Sequence, residues 1–84
     1  MIHKTDIDQY PHGLANLAKD LGDLRYDALA DFLEALSAKI KEDAAKDDGR
    51  GRIQLAAQLN GCAEQLAKSA NSIDKAWKIC EPYM

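Results

Sequence analysis

A seven-residue apolar repeat runs almost uninterrupted from Arg52 to Cys80, and it constrains the fold more than any other feature of the chain. Leu55, Leu59, Cys62, Leu66, Ser69, Ile73, Ala76 and Cys80 follow one another at steps of four and three. On a helix that spacing draws a single stripe along one side. The stripe extends over about four heptads, and an isolated helix of any sequence gains little stability in water from propensity alone. A stripe of this length therefore predicts a long helix buried against other helices.

The preceding chain supplies the partners. Pro11 suits the first turn of a helix, where its missing N–H costs nothing. The spacing predicts a first helix over 11–21, with Leu14, Leu17, Ala18 and Leu21 on its apolar side and Gly22 as the stop. Asp23 is the expected N-cap of a second helix over 23–47. Tyr26, Leu29, Leu33, Leu36 and Ile40 form its apolar face, flanked by Phe32, with Glu34, Lys39, Lys41 and Glu42 on or near the other side. The pattern fades into Asp47-Asp48, and Gly49-Arg50-Gly51 is the clearest breaker, placing a turn at 48–51. A turn this short joins antiparallel helices.

The third helix is expected over 52–80. Asn60-Gly61 and Ser69–Ser72 are weak points, but the heptad phase survives both, which predicts one continuous helix ended before Pro82. The fold class is thus all-α: a short N-terminal helix and a long antiparallel helical hairpin in a single domain, 1–84, forming a three- to four-helix bundle. The first helix spans ~16 Å against ~36 and ~43 Å for the other two, so it cannot cover the whole seam. A second copy of the chain is the expected cover, since twofold dimers are the commonest assembly. Tyr26, Leu29, Phe32, Leu33, Leu36, Ile40, Leu55, Leu59, Leu66, Ile73 and Trp77 are the candidate core and interface residues.

A chain of 84 residues has room for one small core. Cys62 and Cys80 on one continuous helix are separated by ~27 Å, too far for a disulfide. Free thiols, and a start with no apolar run behind Lys4, lead us to expect a cytoplasmic location. No run is apolar enough to span a membrane. With a formal net charge of −3 and both signs interspersed, the concentrated basic face of a nucleic-acid binder is missing.

Few residues suggest chemistry. His3, Asp6, Asp8 and His12 cluster near the start, but their spacing fits no metal motif and they read as a solvated lead. Cys62 reads as a small seam residue, and Cys80 near a helix C-terminus is poorly placed for a thiolate. Trp77, at the edge of the seam, is an expected packing anchor. Arg50 and Arg52 are expected to offset Asp43, Asp47 and Asp48 at the negative end of the second helix. We expect no catalytic set, cofactor or metal.

The run His12-Gly13-Leu14-Ala15-Asn16-Leu17-Ala18-Lys19-Asp20-Leu21-Gly22 partly resembles the active helix of histidine phosphotransfer domains. Leu14 and Gly22 match that pattern, as do Leu29, Leu33 and Glu34 downstream. Ala15 and Asn16 stand where the family has its lysine and glycine, and Pro11 sets His12 in a first turn. The resemblance implies a signalling module with His12 as phosphoacceptor. The residues themselves favour a different function: a small, non-enzymatic interaction or adaptor protein acting through an apolar helical seam. Its expected partner is a second copy, or another protein at a helical face, with neither nucleic acid nor membrane involved. The turn lacks the tryptophan of secreted WXG hairpins, which it resembles only in outline.

Overall fold

A computed structural model describes residues 3–84. Three α-helices follow in order: α1 over Leu14–Gly22, α2 over Tyr26–Gly49 and α3 over Ile53–Cys80. A single 3₁₀ turn, Glu81–Tyr83, closes the chain, with Pro82 inside it. The fold is an all-α helical hairpin, α2 against α3, and α3 passes through Asn60-Gly61 and Ser69–Ser72 without a break.

Element boundaries differ from the sequence reading at the two early starts and at the end of α2, which runs past the expected 47 through Asp48 to Gly49. Helix α1 begins at Leu14, because Gly13 has φ 85° and interrupts any helix from Pro11. A positive φ of this kind is readily available only to glycine. Asp23 does not cap α2. It ends α1, its N–H reaching the Lys19 carbonyl at 3.0 Å. Arg25 holds the N-cap position of α2 without a side-chain capping bond. Asp27 in the first turn supplies the negative charge that the helix start favours, and its Oδ1 accepts from the Ala28 N–H at 2.9 Å.

The turn between α2 and α3 is held by backbone bonds. Arg50 and Arg52 N–H groups both donate to the Asp47 carbonyl, at 3.1 and 2.8 Å, and Gly51 adopts φ 78° to make this possible. Arg52 Nη1 also lies 3.3 Å from Asp47 Oδ1, so the expected offset of acid by arginine occurs at this pair.

The core is unusual in its residue sizes. The buried side chains are Ala30, Ser37 and Ala44 on α2 and Ala56, Ala63 and Ala70 on α3. Each set repeats every seven residues, which keeps it on one line along its helix. The two lines run antiparallel and are symmetric about Arg50: Ser37 Oγ donates to the Ala63 carbonyl at 2.7 Å, and the same register pairs Ala30 with Ala70 and Ala44 with Ala56. A side chain bonded directly to the opposite helix's backbone requires close axes, and residues as small as Ala and Ser permit that approach.

This corrects the seam read from the sequence. Leu59, Leu66, Ile73 and Cys80 do belong to its margin and are half-buried, as is Ala76. Leu55, Cys62 and Ser69 are exposed, and the contact line instead passes through their neighbours Ala56, Ala63 and Ala70. On α2, Leu29, Leu33, Leu36 and Ile40 are half-buried, while Tyr26 and Phe32 are exposed.

The result is a layer, not a globule. The Cα envelope measures 50 × 29 × 14 Å, with a radius of gyration of 15.3 Å. A compact chain of this length would have a radius near ~12 Å.

Candidate functional site

The two sides of the small-residue line differ in character. Three positions after each small residue come Leu33, Ile40 and Asp47 on α2, and Leu59, Leu66 and Ile73 on α3, all half-buried and all apolar except Asp47. Four positions after come Glu34, Lys41 and Asp48, then Asn60, Ala67 and Asp74, of which only Asp74 is partly covered. At about 100° per residue these two sets fall on opposite sides of the contact line. Leu29 and Leu36, with Leu55 and Cys62, lie one position before a small residue and therefore widen the apolar side.

Antiparallel helices related by a twofold perpendicular to their plane turn equivalent sides to the same face. The apolar sides of α2 and α3 thus form one continuous face of the layer, and the charged sides form the other. Not one large apolar side chain is fully buried among the described residues. Phe32 and Leu55 are still 39 % and 46 % exposed.

Helix α1 covers little of this face. None of its residues is buried, and only Leu17 and Leu21 are half-covered. The Lys39 ammonium, 2.6 Å away, is the chief cause that holds the Asp43 carboxyl below its ordinary range. The extensive backbone approach is between α2 and α3, followed by the join of α3 with the final turn.

At the open end of the hairpin, Leu24, Arg25, Tyr26, Trp77, Cys80 and Met84 line a shallow cleft of ≈ 560 Å³. Trp77 continues the heptad line of Ala56, Ala63 and Ala70 and is half-buried. The Arg25 guanidinium lies 5.1 Å from the centre of its ring, within reach of a cation–π attraction. Arg25 also holds Asp27 in a two-pronged bond of 2.6 and 2.7 Å. That bond keeps the Asp27 carboxyl below its ordinary range. The Cys80 thiol donates to the Trp77 carbonyl at 3.6 Å, which orients it toward its own helix.

His12 is exposed in the turn before α1, not on a helix. Its ring stands edge-on to Tyr10 at 5.4 Å, and its carbonyl accepts from Asn16 Nδ2 at 2.8 Å. Tyr10 in turn donates to Asp20, and this bond raises its phenol pKa. His3, Asp6, Asp8 and His12 do not converge: among the described residues no three His, Cys, Asp or Glu side chains are grouped to hold a metal ion. No described helix is long and apolar enough to cross a membrane. No family model, curated protein or solved structure matches the chain.

The small-residue line was the feature that apolar periodicity missed. A seven-residue recurrence of Ala and Ser on both helices, symmetric about the turn, was the available signal.

Proposed function

We propose that the chain is a non-enzymatic helical interaction protein that works through the apolar face of its hairpin, and that a second copy covers this face. The observation that carries the reading is the imbalance between contact and apolar content. The hairpin closes on alanines and a serine and leaves its leucines and isoleucines half-covered or exposed. The chain exposes 6659 Å², whereas a compact folded monomer of this mass exposes about 4,900 Å². The excess is larger than the ~800 Å² per partner that a specific complex buries. Two unpaired thiols suit a reducing cytoplasm as the setting.

The test is mass in solution. Light scattering or sedimentation at tens of micromolar is expected to give a dimer. Leu66→Asp, at the middle of the face, is expected to give monomer, since a carboxylate buried there without a partner costs several kcal/mol. A wild-type protein that stays monomeric overturns the reading. The exposure of His12 supports a second reading as phosphoacceptor, because a nucleophilic imidazole must be reachable.

A further inference from the structure

We infer that α1 belongs to the dimer interface: its apolar side, Leu14, Leu17 and Leu21, packs against the second copy, and the helix becomes stable as it docks. The inference rests on the dimer proposed above and names a further part of its contact surface.

Helix α1 lacks what a helix needs to stand alone. It has nine residues, no buried side chain, no side-chain cap and no acidic residue in its first turn. Isolated helices shorter than ~12–15 residues are marginal in water even when their sequence favours helix, and Asn16 and Asp20 do not favour it. The hairpin gives α1 little support. The extensive backbone approach lies within the hairpin and at its final turn, and α1 takes no part in it. The bonds that hold α1 are local: Asn16 donates to the His12 carbonyl, Tyr10 to Asp20, and the Asp23 and Leu24 N–H groups to the Lys19 and Leu21 carbonyls.

The sequence of α1 is nevertheless patterned for burial. Leu14, Leu17 and Leu21 recur at i, i+3 and i+7, with Ala18 beside them, and so share one side of the helix. Ala15, Asn16 and Lys19 take the other side. Leu14 is 57 % exposed, and Leu17 and Leu21 are only half-covered.

Area points to the second copy as the cover. The chain exposes about 1,700 Å² more than a compact monomer of its mass. That is roughly twice the ~800 Å² that each partner buries in a specific complex. A second copy confined to the hairpin face leaves about half of the excess in water. Only Asp23–Arg25 separate α1 from the start of α2, so α1 adjoins the open end of the face. A copy seated on the face reaches it as part of the same surface.

The test separates α1 from the hairpin face. Leu14→Asp puts a carboxylate on the apolar side, at the first residue of the helix, where negative charge favours helix formation. Ala15→Asp is the control, with the same charge one residue on, at an exposed position off the stripe. Leu14 is itself exposed, so the far-ultraviolet circular dichroism of the hairpin is expected to hold in both variants. Sedimentation across a dilution series is expected to raise the dimer dissociation constant of Leu14→Asp at least about tenfold, the loss of one buried leucine. Ala15→Asp is expected to stay close to wild type. In wild-type protein, amide hydrogen exchange is expected to show residues 14–22 protected in the dimer and to lose that protection on dilution to monomer. Equally tight dimers for the two variants overturn this role of α1 and leave the interaction reading intact. So does protection of 14–22 that is independent of concentration, the result for a helix that rests on its own hairpin. A monomeric wild-type protein overturns both.

Discussion

Ala63→Leu puts the small-residue line under direct load. Ala63 is completely buried, and its carbonyl receives the Ser37 hydroxyl at 2.7 Å. A leucine adds three carbons at the point where the helices come closest. Overpacking of this kind costs about 1–3 kcal/mol. Separating the helices also stretches the Ser37 bond, a further ~0.5–1.5 kcal/mol. The expected loss is therefore about 2–4 kcal/mol, in a chain whose single core supplies only ~3–5 kcal/mol. For a domain of this size each kcal/mol moves the melting temperature by ~4–8 °C. Thermal melts followed by far-ultraviolet circular dichroism, at one fixed protein concentration, are expected to fall by at least ~10 °C. Cys62→Leu is the matched control, since it places the same side chain one residue away on an exposed position. Its melting temperature is expected to hold or rise. A seam passing through Cys62 demands the reverse pair of results. An unchanged melt for Ala63→Leu, with a lowered one for Cys62→Leu, would refute the contact line described here.

Other expectations concern the edges of the molecule. Arg25→Gln removes the guanidinium from Trp77, the chain's one tryptophan, and should shift its fluorescence to the red as water reaches the ring; unchanged emission would mean that Arg25 does not shield it. Asp27 and Asp43 are held below their ordinary pKa by Arg25 and Lys39. Their lowered values mean that the stability they add is present above the ordinary carboxylate range and is lost as the pH falls through the folded-state values. Acid titration should thus weaken the protein below about pH 4, and Lys39→Gln should flatten that slope. Incubation with a small phosphoryl donor should leave no acid-labile label on His12, which lies ahead of its helix; a label abolished by His12→Gln would move the protein into signalling.

Much of this fold was legible in the sequence. Gly49-Arg50-Gly51 marked the turn, and the unbroken heptad phase across Gly61 and Ser69–Ser72 correctly implied one long α3. The phase of the contact line was not. Reading by apolar size traced Leu55, Cys62 and Ser69, because leucine dominates a hydrophobic pattern and alanine, abundant everywhere here, draws no line. Leu59, Leu66, Ile73 and Cys80 belong to both stripes, so half of the pattern was right for either. Geometry decides the other half: two helices approach most closely where side chains are smallest, and the large ones are displaced to the flank. The starts of α1 and α2 were misread for a local reason. The φ of 85° at Gly13 and the use of Asp23 to end α1 are backbone choices that side-chain pattern does not reveal.

The mirrored spacing of the seam about Arg50 also bears on the order in which the hairpin assembles. The Ala44–Ala56 layer closes the shortest loop, and each later layer, Ser37–Ala63 and then Ala30–Ala70, extends a zipper already begun. Closing the outermost layer directly from the unfolded chain would cost about 1 kcal/mol more entropy than closing the innermost. The turn-proximal layer is therefore the natural nucleus. Enlarging Ala44 or Ala56 should slow folding, whereas the same change at Ala30 or Ala70 should mainly hasten unfolding. A one-residue insertion in either arm puts every layer beyond it out of step, while a matched gain of seven residues in both arms lengthens the hairpin by one layer and preserves its register.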